Sequence, residues 1–574
     1  MRRIPIHRQI SLALCTAALL LAAGGCKEKE MPPAVSRMIQ ATVQTKTLPA
    51  AIRDQKEHAR AWEEMRRFYE KRQFQPAWLT AGGPRPQSEE LIAAIDSMAN
   101  EGLDPRRYQK TKLEALLREI EEGDRSLEDP ETQRLLAHAD MHLTYTFLTM
   151  ATHLATGRQQ PGTLRIDWYT KPRNVDLDVR LEKALTQEGE VRKALHAYAP
   201  PSPEYARLRD ALARYRQIAQ SGGWPALPSG SELKPGARGE AVRRLRARLA
   251  AEGDLASAPK PENGQAQPSG SDLYDPAVAQ AVQRFQQRHG LEPTGKVGDE
   301  TLEELNVPVE RRIQQIQVNL ERWRWLPADL GKRYIKVNIP EFRMELVENG
   351  RPVLGMRVIV GKAQQSRTPA FSDKMEYIEL NPWWNIPTGI AEEEILPKGP
   401  GYLASSNIEV VQEGSTTRLR QRPGPGNPLG QIKFMFPNDF DIYLHDTPAD
   451  HLFAETERDF SHGCIRLEKP VTLAEYLLRN DPDWPPLKLR EAIVSGENRT
   501  VTLPKPLPVH LLYFTAWVDE DGTVQLHRDV YGHDAKLAAV LQSEPVVELD
   551  LDAVRGQVRA AVPGSPRRAG RLST

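Results

Sequence analysis

Phe460-Ser461-His462-Gly463-Cys464-Ile465-Arg466 holds the only cysteine of the chain beyond its first 26 residues and sets it among groups that would make a thiol reactive. A thiolate attacks far better than a thiol, so a working cysteine needs a neighbour that takes its proton or balances its charge. The candidates are His462, Arg466 and the upstream His445, which follows Ile442-Tyr443-Leu444. An inert buried cysteine usually sits in an apolar run. Gly463 on one side and Arg466 two residues on do not form such a run. Alternation predicts strands here: Ile442 and Leu444 share one face, Tyr443 and His445 the other. His445 is expected to end an edge facing away from the core. If Cys464 continues an extended stretch, it shares a face with Arg466, with Ile465 and Leu467 opposite. Cys464 lies nineteen positions after His445, enough for the chain to loop out and bring the two polar faces together.

Outward from this pair the period of two persists. Ile335, Val337 and Ile339 mark one strand, and Phe342, Met344 and Leu346 a second. Asn349-Gly350 turns the chain into a third at Val353–Val360. Met375–Leu380 and Gln431–Phe436 follow as strands, Val471–Leu478 as a helix after Pro470, and Leu511–Trp517 with Val524–His527 as a hairpin about Asp521-Gly522. Between Asn381-Pro382-Trp383-Trp384-Asn385-Ile386-Pro387 and the returning strand lies Thr388–Gly430. That segment lacks strand alternation and is broken by Pro397, Gly399-Pro400-Gly401 and Pro423-Gly424-Pro425-Gly426. A connection of this length in a compact domain is generally functional or disordered. Because it returns to the strand that leads to His445, it reads as a mobile lid or small subdomain over the site.

Upstream the period becomes helical. Ile313, Ile316, Leu320 and Trp323 recur at three and four residues within Val309–Trp325, entered at Pro308 and closed by Leu326-Pro327. Val242, Leu245 and Leu249, then Val278, Val282 and Phe285, define two amphipathic helices, with a third near Thr301–Leu305. Ala256–Ser271, rich in Pro, Ser, Gly and Gln, reads as a flexible loop between them. From Met31 to Gln220 helical spacing dominates, with Met141–Leu154 as the central packing helix. These boundaries give a multidomain α+β chain. A helical scaffold spans 27–229, a three-helix unit 230–307, a further helix 308–330 and a mostly β domain 331–562 with its lid at 388–430. A disordered tail is expected at 563–574.

The first residues read as an export signal: Arg2, Arg3 and Arg8 precede an apolar run from Ile10 to Ala23 that ends at Gly24-Gly25-Cys26. That run is short for a spanning helix. Cys26 after small residues resembles a bacterial lipoprotein cleavage box, though Ala23 stands where Leu is preferred; an ordinary cleaved signal and an uncleaved anchor are the other readings. All three export the chain. Cys15 would then be lost with the signal and Cys26 lipidated or near the cut, so Cys464 has no obvious partner in a compartment that normally pairs cysteines. A lone thiol there is a hazard unless it does chemistry.

Lys plus Arg and Asp plus Glu both number 77, so no net field draws the chain to nucleic acid or to an anionic membrane surface. Partners must follow from sites. A cysteine with a histidine is suited to acyl transfer through a thioester, and His445 and His462 compete for the role of base. Gly463 would let a carbonyl oxygen approach the backbone amides near Cys464 as an oxyanion site. Arg466 could hold an anionic substrate group or a structural carboxylate. His445, His451, His462 and Cys464 also offer zinc-ligand types, but their spacing follows no recognised zinc pattern, and neither metal nor cofactor is expected.

Ile442-Tyr443-Leu444-His445-Asp446-Thr447-Pro448 followed by Ser461-His462-Gly463-Cys464-Ile465-Arg466 resembles the signature of the L,D-transpeptidase catalytic domain. Leu233–Val242 through Leu291–Val297 resembles a three-helix peptidoglycan-binding domain. Phe68-Tyr69 with Pro76-Ala77-Trp78, Asn319–Pro327 and Asn427–Pro437 are similar to long Gram-negative members with a helical scaffold and a lidded catalytic domain. The resemblance implies Cys464 as nucleophile, His445 as proton donor and acceptor, and the Asp446 carbonyl as the group orienting that base. It places Ser461, His462, Gly463 and Arg466 at the oxyanion and substrate pocket, and Tyr443 and Trp384 at aromatic donor contacts.

The activity so implied is release of D-Ala from a peptidoglycan tetrapeptide stem and 3→3 cross-linking to the diaminopimelate of an acceptor stem. It would take place in the periplasm, with carbapenem sensitivity, cell-wall synthases as partners and N-terminal lipid anchoring through Cys26. The alternatives are a Cys/His carboxypeptidase or endopeptidase trimming the same stems, and a non-catalytic wall-binding lipoprotein.

Overall fold

The computed structural model describes residues 30–543 apart from 46–55, 124, 171–172, 174, 188, 231–232, 257–271 and 414–415. The leader expected at 1–26, almost all of the loop at 256–271 and the tail at 563–574 lie outside the described residues.

The scaffold forms around the Pro130–Thr156 helix, whose residues from Ala139 onward are all buried. Asp129 caps it, its carboxylate accepting from the Thr132 amide at 3.1 Å. Asp140, fully buried on this helix, accepts from the backbone amides of Ala77, Trp78 and Leu79 and from the Tyr69 hydroxyl at 2.6 Å. That cluster explains Phe68-Tyr69 and Pro76-Ala77-Trp78: they wrap one buried carboxylate whose lone pairs are met by donors. Leu79, the last of these amide donors, opens a short strand, Leu79–Thr80 (β1), that pairs with Gly83–Pro84 (β2).

Helices Glu240–Glu252, Pro276–Arg288 and Asp299–Leu305 form the three-helix unit, closed on Val242, Leu245, Leu249, Val278, Val282 and Phe285. It docks on the scaffold through the Tyr215 hydroxyl, which donates to Glu252 at 2.6 Å, while Arg288 binds the same carboxylate at 2.7 Å. Val309–Arg324 is the hub of the chain. Its Glu321 accepts from the Gln159 amide at 2.7 Å on the scaffold side, and Asn319 exchanges hydrogen bonds with Thr515 on the side of the β domain. Gly157 has φ +83°, and a Cβ there would meet Glu321 and the Trp325 indole within 2.8 Å, so this contact requires glycine.

The mostly β domain is a closed barrel. Its strands are β3 (Arg333–Asn338), β4 (Arg343–Glu348), β5 (Arg351–Ile359), β6 (Phe371–Leu380), β10 (Ile432–Met435), β11 (Leu444–His445), β12 (Ile465–Leu467) and β13 (Arg499–Leu512), in the order β10-β11-β12-β5-β4-β3-β13-β6. β11 with β12 and β13 with β3 are parallel; every other pair is antiparallel. Asn349 and Gly350 both have positive φ, as a two-residue turn between β4 and β5 demands. Ile335, Val337, Met344, Leu346, Ile378, Phe434, Leu444, Ile465 and Val509 fill the core. A strand-like contact from the scaffold, Trp168 beside Ala370, ties the two domains together.

Three expectations are corrected. His445 does not end an edge, because β11 is paired on both sides and a closed barrel has no edge. The strand leading to it is two residues long rather than including Ile442 and Tyr443, and Asp441 just before them breaks extension with a φ of +53°. Leu511–Leu512 end a 14-residue barrel strand rather than opening a hairpin, whose arms are Ala516–Val518 (β14) and Val524–Leu526 (β15). Pro504, Pro506 and Pro508 hide β13 from a pattern reading; a register shift between Thr502 and Leu507 takes Pro504 and Pro506 out of the ladder.

Thr388–Gly430 is a small subdomain, and it contains strands although its sequence shows no strand alternation. Ile408–Glu413 (β8) and Thr416–Gln421 (β9) form a hairpin that joins Trp384–Asn385 (β7) in a sheet of order β7-β9-β8. Its own core comprises Ile386, Ala391, Ile395, Ile408 and Leu419. Alternation there is masked because Val410 faces solvent, 56% exposed.

Candidate active site

β11 carries Tyr443 and His445 toward the same side as Cys464 and Arg466 on the neighbouring parallel strand. Register fixes this: Leu444 pairs with Ile465 and His445 with Arg466, both apolar partners lying in the core. The Ile465 amide donates to the Tyr443 carbonyl at 3.1 Å, placing Tyr443 beside Cys464. The two polar faces expected from alternation are therefore one surface.

His445 is 4% exposed, and its Nδ1 lies 2.5 Å from the Asp446 carbonyl oxygen. A carbonyl can only accept, so Nδ1 carries the proton and Nε2 keeps its lone pair, as a base requires. Asp446 is itself held: its amide donates to Ile432, and its carboxylate accepts from the amides of Gln431 and Thr447, each at 2.8 Å. Gly430, at φ +59°, leaves the space that carboxylate occupies; a Cβ there would collide with it. Burial, then Arg466 and Lys433, push the His445 imidazole down to about 3.

The Cys464 thiol is half-buried and donates to the Asp441 carbonyl at 3.5 Å. Burial pushes it up, while contacts with the Tyr443 backbone and hydroxyl and the Lys433 charge pull the other way. The loop before it is stapled. The Ser461 hydroxyl donates to the Cys464 carbonyl at 2.5 Å, and Thr368 donates to the Gly463 carbonyl at 2.6 Å. Gly463 has φ +116°, a conformation glycine alone adopts freely. Its amide donates to Ser461 Oγ at 3.2 Å, so it is engaged in the loop itself.

His462 points away from the thiol's partners to the lid, where its Nε2 and Glu394 Oε1 meet at 2.6 Å. Of the two histidines, His445 has its Nδ1 held by a backbone carbonyl, whereas the Nε2 of His462 is taken up by Glu394. Trp384 lies in the lid's own sheet and packs on the lid core. Arg466 faces His445 across the ladder, with its Nε buried and without a partner. His451 is exposed on the Asp450–Ala454 turn. Lys433, Glu394, Thr368 and Gly430 were missed. Lys433 was accessible to parity, since Ile432 and Phe434 flank it as core residues; the other three depend on contacts distant in sequence.

Three family models match the chain. Residues 332–488 match the L,D-transpeptidase catalytic domain family, residues 238–305 a family described as "Putative peptidoglycan binding domain", and residues 63–212 a family described as "Scaffold domain". The chain thus carries an L,D-transpeptidase catalytic domain together with a peptidoglycan-binding domain and a scaffold domain. A curated relative from Haemophilus influenzae, described as "Putative L,D-transpeptidase", is 32% identical over 244 residues, which is 39% of this chain and 49% of the relative. The match therefore spans about half the length of that relative.

Among solved structures, the L,D-transpeptidase of Xylanimonas cellulosilytica is 15% identical with a TM-score of 0.16, covering 50% of this chain and 99% of its own. That of Stackebrandtia nassauensis is 14% identical with a TM-score of 0.19, covering 50% and 97%.

Proposed function

We propose that this chain is a peptidoglycan L,D-transpeptidase acting through a Cys464 thioester. His445 Nε2 takes the Sγ proton as the thiolate attacks the carbonyl between the L-centre of diaminopimelate at position three and D-Ala at position four of a donor stem. The tetrahedral intermediate collapses, the C–N bond breaks, and the same imidazole returns the proton to the leaving D-Ala amine. The side-chain amine of an acceptor stem then attacks the thioester, giving a 3→3 cross-link and restoring the thiol. The observation that carries this reading is the Nδ1–Asp446 bond, which sets the tautomer of a histidine sharing one barrel face with Cys464.

The peptidoglycan-binding domain match supports a wall substrate and hence a cell-envelope location. No helix among the described residues is long and apolar enough to cross a membrane. Lipidation at Cys26 and contact with wall synthases belong to the same proposal.

Incubation of the purified chain with disaccharide-tetrapeptides, followed by intact-mass and product analysis, tests it. An adduct on Cys464 with release of D-Ala and a cross-linked dimer is expected. Release of D-Ala with only hydrolysed tripeptide would make the chain a carboxypeptidase, and an unmodified Cys464 would leave a wall-binding protein without this chemistry.

A further inference from the structure

Glu379 on β6, Lys433 on β10, His445 on β11 and Arg466 on β12 are successive cross-strand partners, so they form one row across the barrel wall. Directly paired residues face the same side. The base therefore stands between two cations, each one strand spacing away, about 4.8 Å.

Neither cation is closely paired: Lys433 has only a long ion pair, and Arg466 forms none among the described residues. The Lys433 side chain is 13% exposed, and its ammonium lies over the Tyr443 ring at 4.0 Å. It makes no hydrogen bond among the described residues, and its ion pair with Glu379 is long, 3.8 Å. Glu379 is shared with Asn498, which donates to it at 3.2 Å. Across His445, the Arg466 Nε is buried without a partner. Two under-satisfied cations beside a catalytic base are costly unless an anion joins them. The other titratable neighbours do not bond the cations: Asp441 and the Cys464 thiol act on the Lys433 charge without a hydrogen bond to it, Tyr443 lies beneath the ammonium, and the Asp446 carboxylate is turned to Gln431 and Thr447.

We propose that Lys433 and Arg466 form a carboxylate subsite flanking His445, and that it takes the free C-terminal carboxylate of D-Ala at position four of the donor stem. This rests on the transpeptidase reading above. That reading requires His445 to reach the nitrogen of the departing D-Ala. One carbon links that nitrogen to the carboxylate, so an anion delivered there arrives within a strand spacing of the imidazole. A donor extended by a fifth residue would bury this carboxylate in an amide and carry its charge too far along. The subsite therefore selects donors that end at position four. The bound carboxylate also offsets the two charges that oppose protonation of His445, so the base becomes stronger when the correct donor is seated.

The test uses the full chain with two donors, a tetrapeptide stem with a free C-terminal carboxylate and the same stem as its C-terminal amide. Acylation of Cys464 and release of D-Ala or D-alaninamide are followed by mass spectrometry. The wild-type chain should favour the acid by about tenfold or more, Lys433→Met should bring the ratio to within about twofold, and Lys433→Arg should restore it. Iodoacetamide labelling of Cys464 and thermal melting report the thiol and the fold of each variant. An acid-to-amide ratio unchanged in Lys433→Met overturns the proposal, as does a variant that slows alkylation and both donors equally, which would make Lys433 a partner of the thiolate alone. A wild-type chain that is alkylated but acylated by neither donor would overturn the transpeptidase reading itself.

Discussion

His462 Nε2 and Glu394 Oε1 meet at 2.6 Å, joining the loop that carries Cys464 to the lid segment Ala391–Ile395. Both side chains keep substantial exposure, 36% and 47%, so the contact is one the lid can give up when substrate enters. A closed lid excludes water from a thioester that water would otherwise cleave. Replacing Glu394 with Ala should raise the ratio of hydrolysed tripeptide to cross-linked dimer, and excising 388–430 should raise it further. An unchanged product ratio in both would remove the lid from the partition between acceptors.

The acid limb of kcat/KM should not appear near the ordinary histidine value. Burial and the neighbouring cations hold His445 at about 3, and a lowered base remains neutral and competent until pH falls through that value. Activity of the free enzyme should therefore persist from pH 7 to pH 5. Alkylation of Cys464 should still be rising above the usual cysteine range, because burial pushes the thiol up. A kcat/KM profile that halves near pH 6.5 would show that another group controls the reaction.

Gly430→Ala should weaken catalysis without unfolding the barrel. The added methyl enters the space of the Asp446 carboxylate, and the backbone φ of +59° adds strain. Asp446 would then move, taking with it the carbonyl that sets the His445 tautomer. A loss of about tenfold to a hundredfold in acylation rate is expected, with an unchanged circular dichroism spectrum. Wild-type acylation in this variant would show that the carbonyl is not essential to the base.

In the scaffold, Asp140→Ala removes the acceptor for three backbone amides and a tyrosine hydroxyl in one buried place. Leaving such donors unpaired should cost about 3 kcal/mol or more. Scanning calorimetry should show the scaffold transition shifted down by several degrees, on the order expected for that loss. A melt indistinguishable from wild type would mean that the Ala77–Leu79 amides find other acceptors.

Sequence alone determined what is local. Alternation assigned Tyr443 with His445 and Cys464 with Arg466 to their faces, because side chains on a strand repeat every two residues whatever surrounds them. Helical spacing located the three-helix unit and the Met141–Leu154 core helix, and the two motif halves carried the resemblance that chose His445 over His462. Tertiary structure alone decided that His445 is buried between two strands rather than standing at an edge, that Lys433 and Arg466 flank it, and that Thr388–Gly430 folds as a subdomain whose helical turn carries Glu394 to His462. Each of these depends on which strand pairs with which, and in what register. Pairing joins segments far apart in the chain, and no local pattern encodes it.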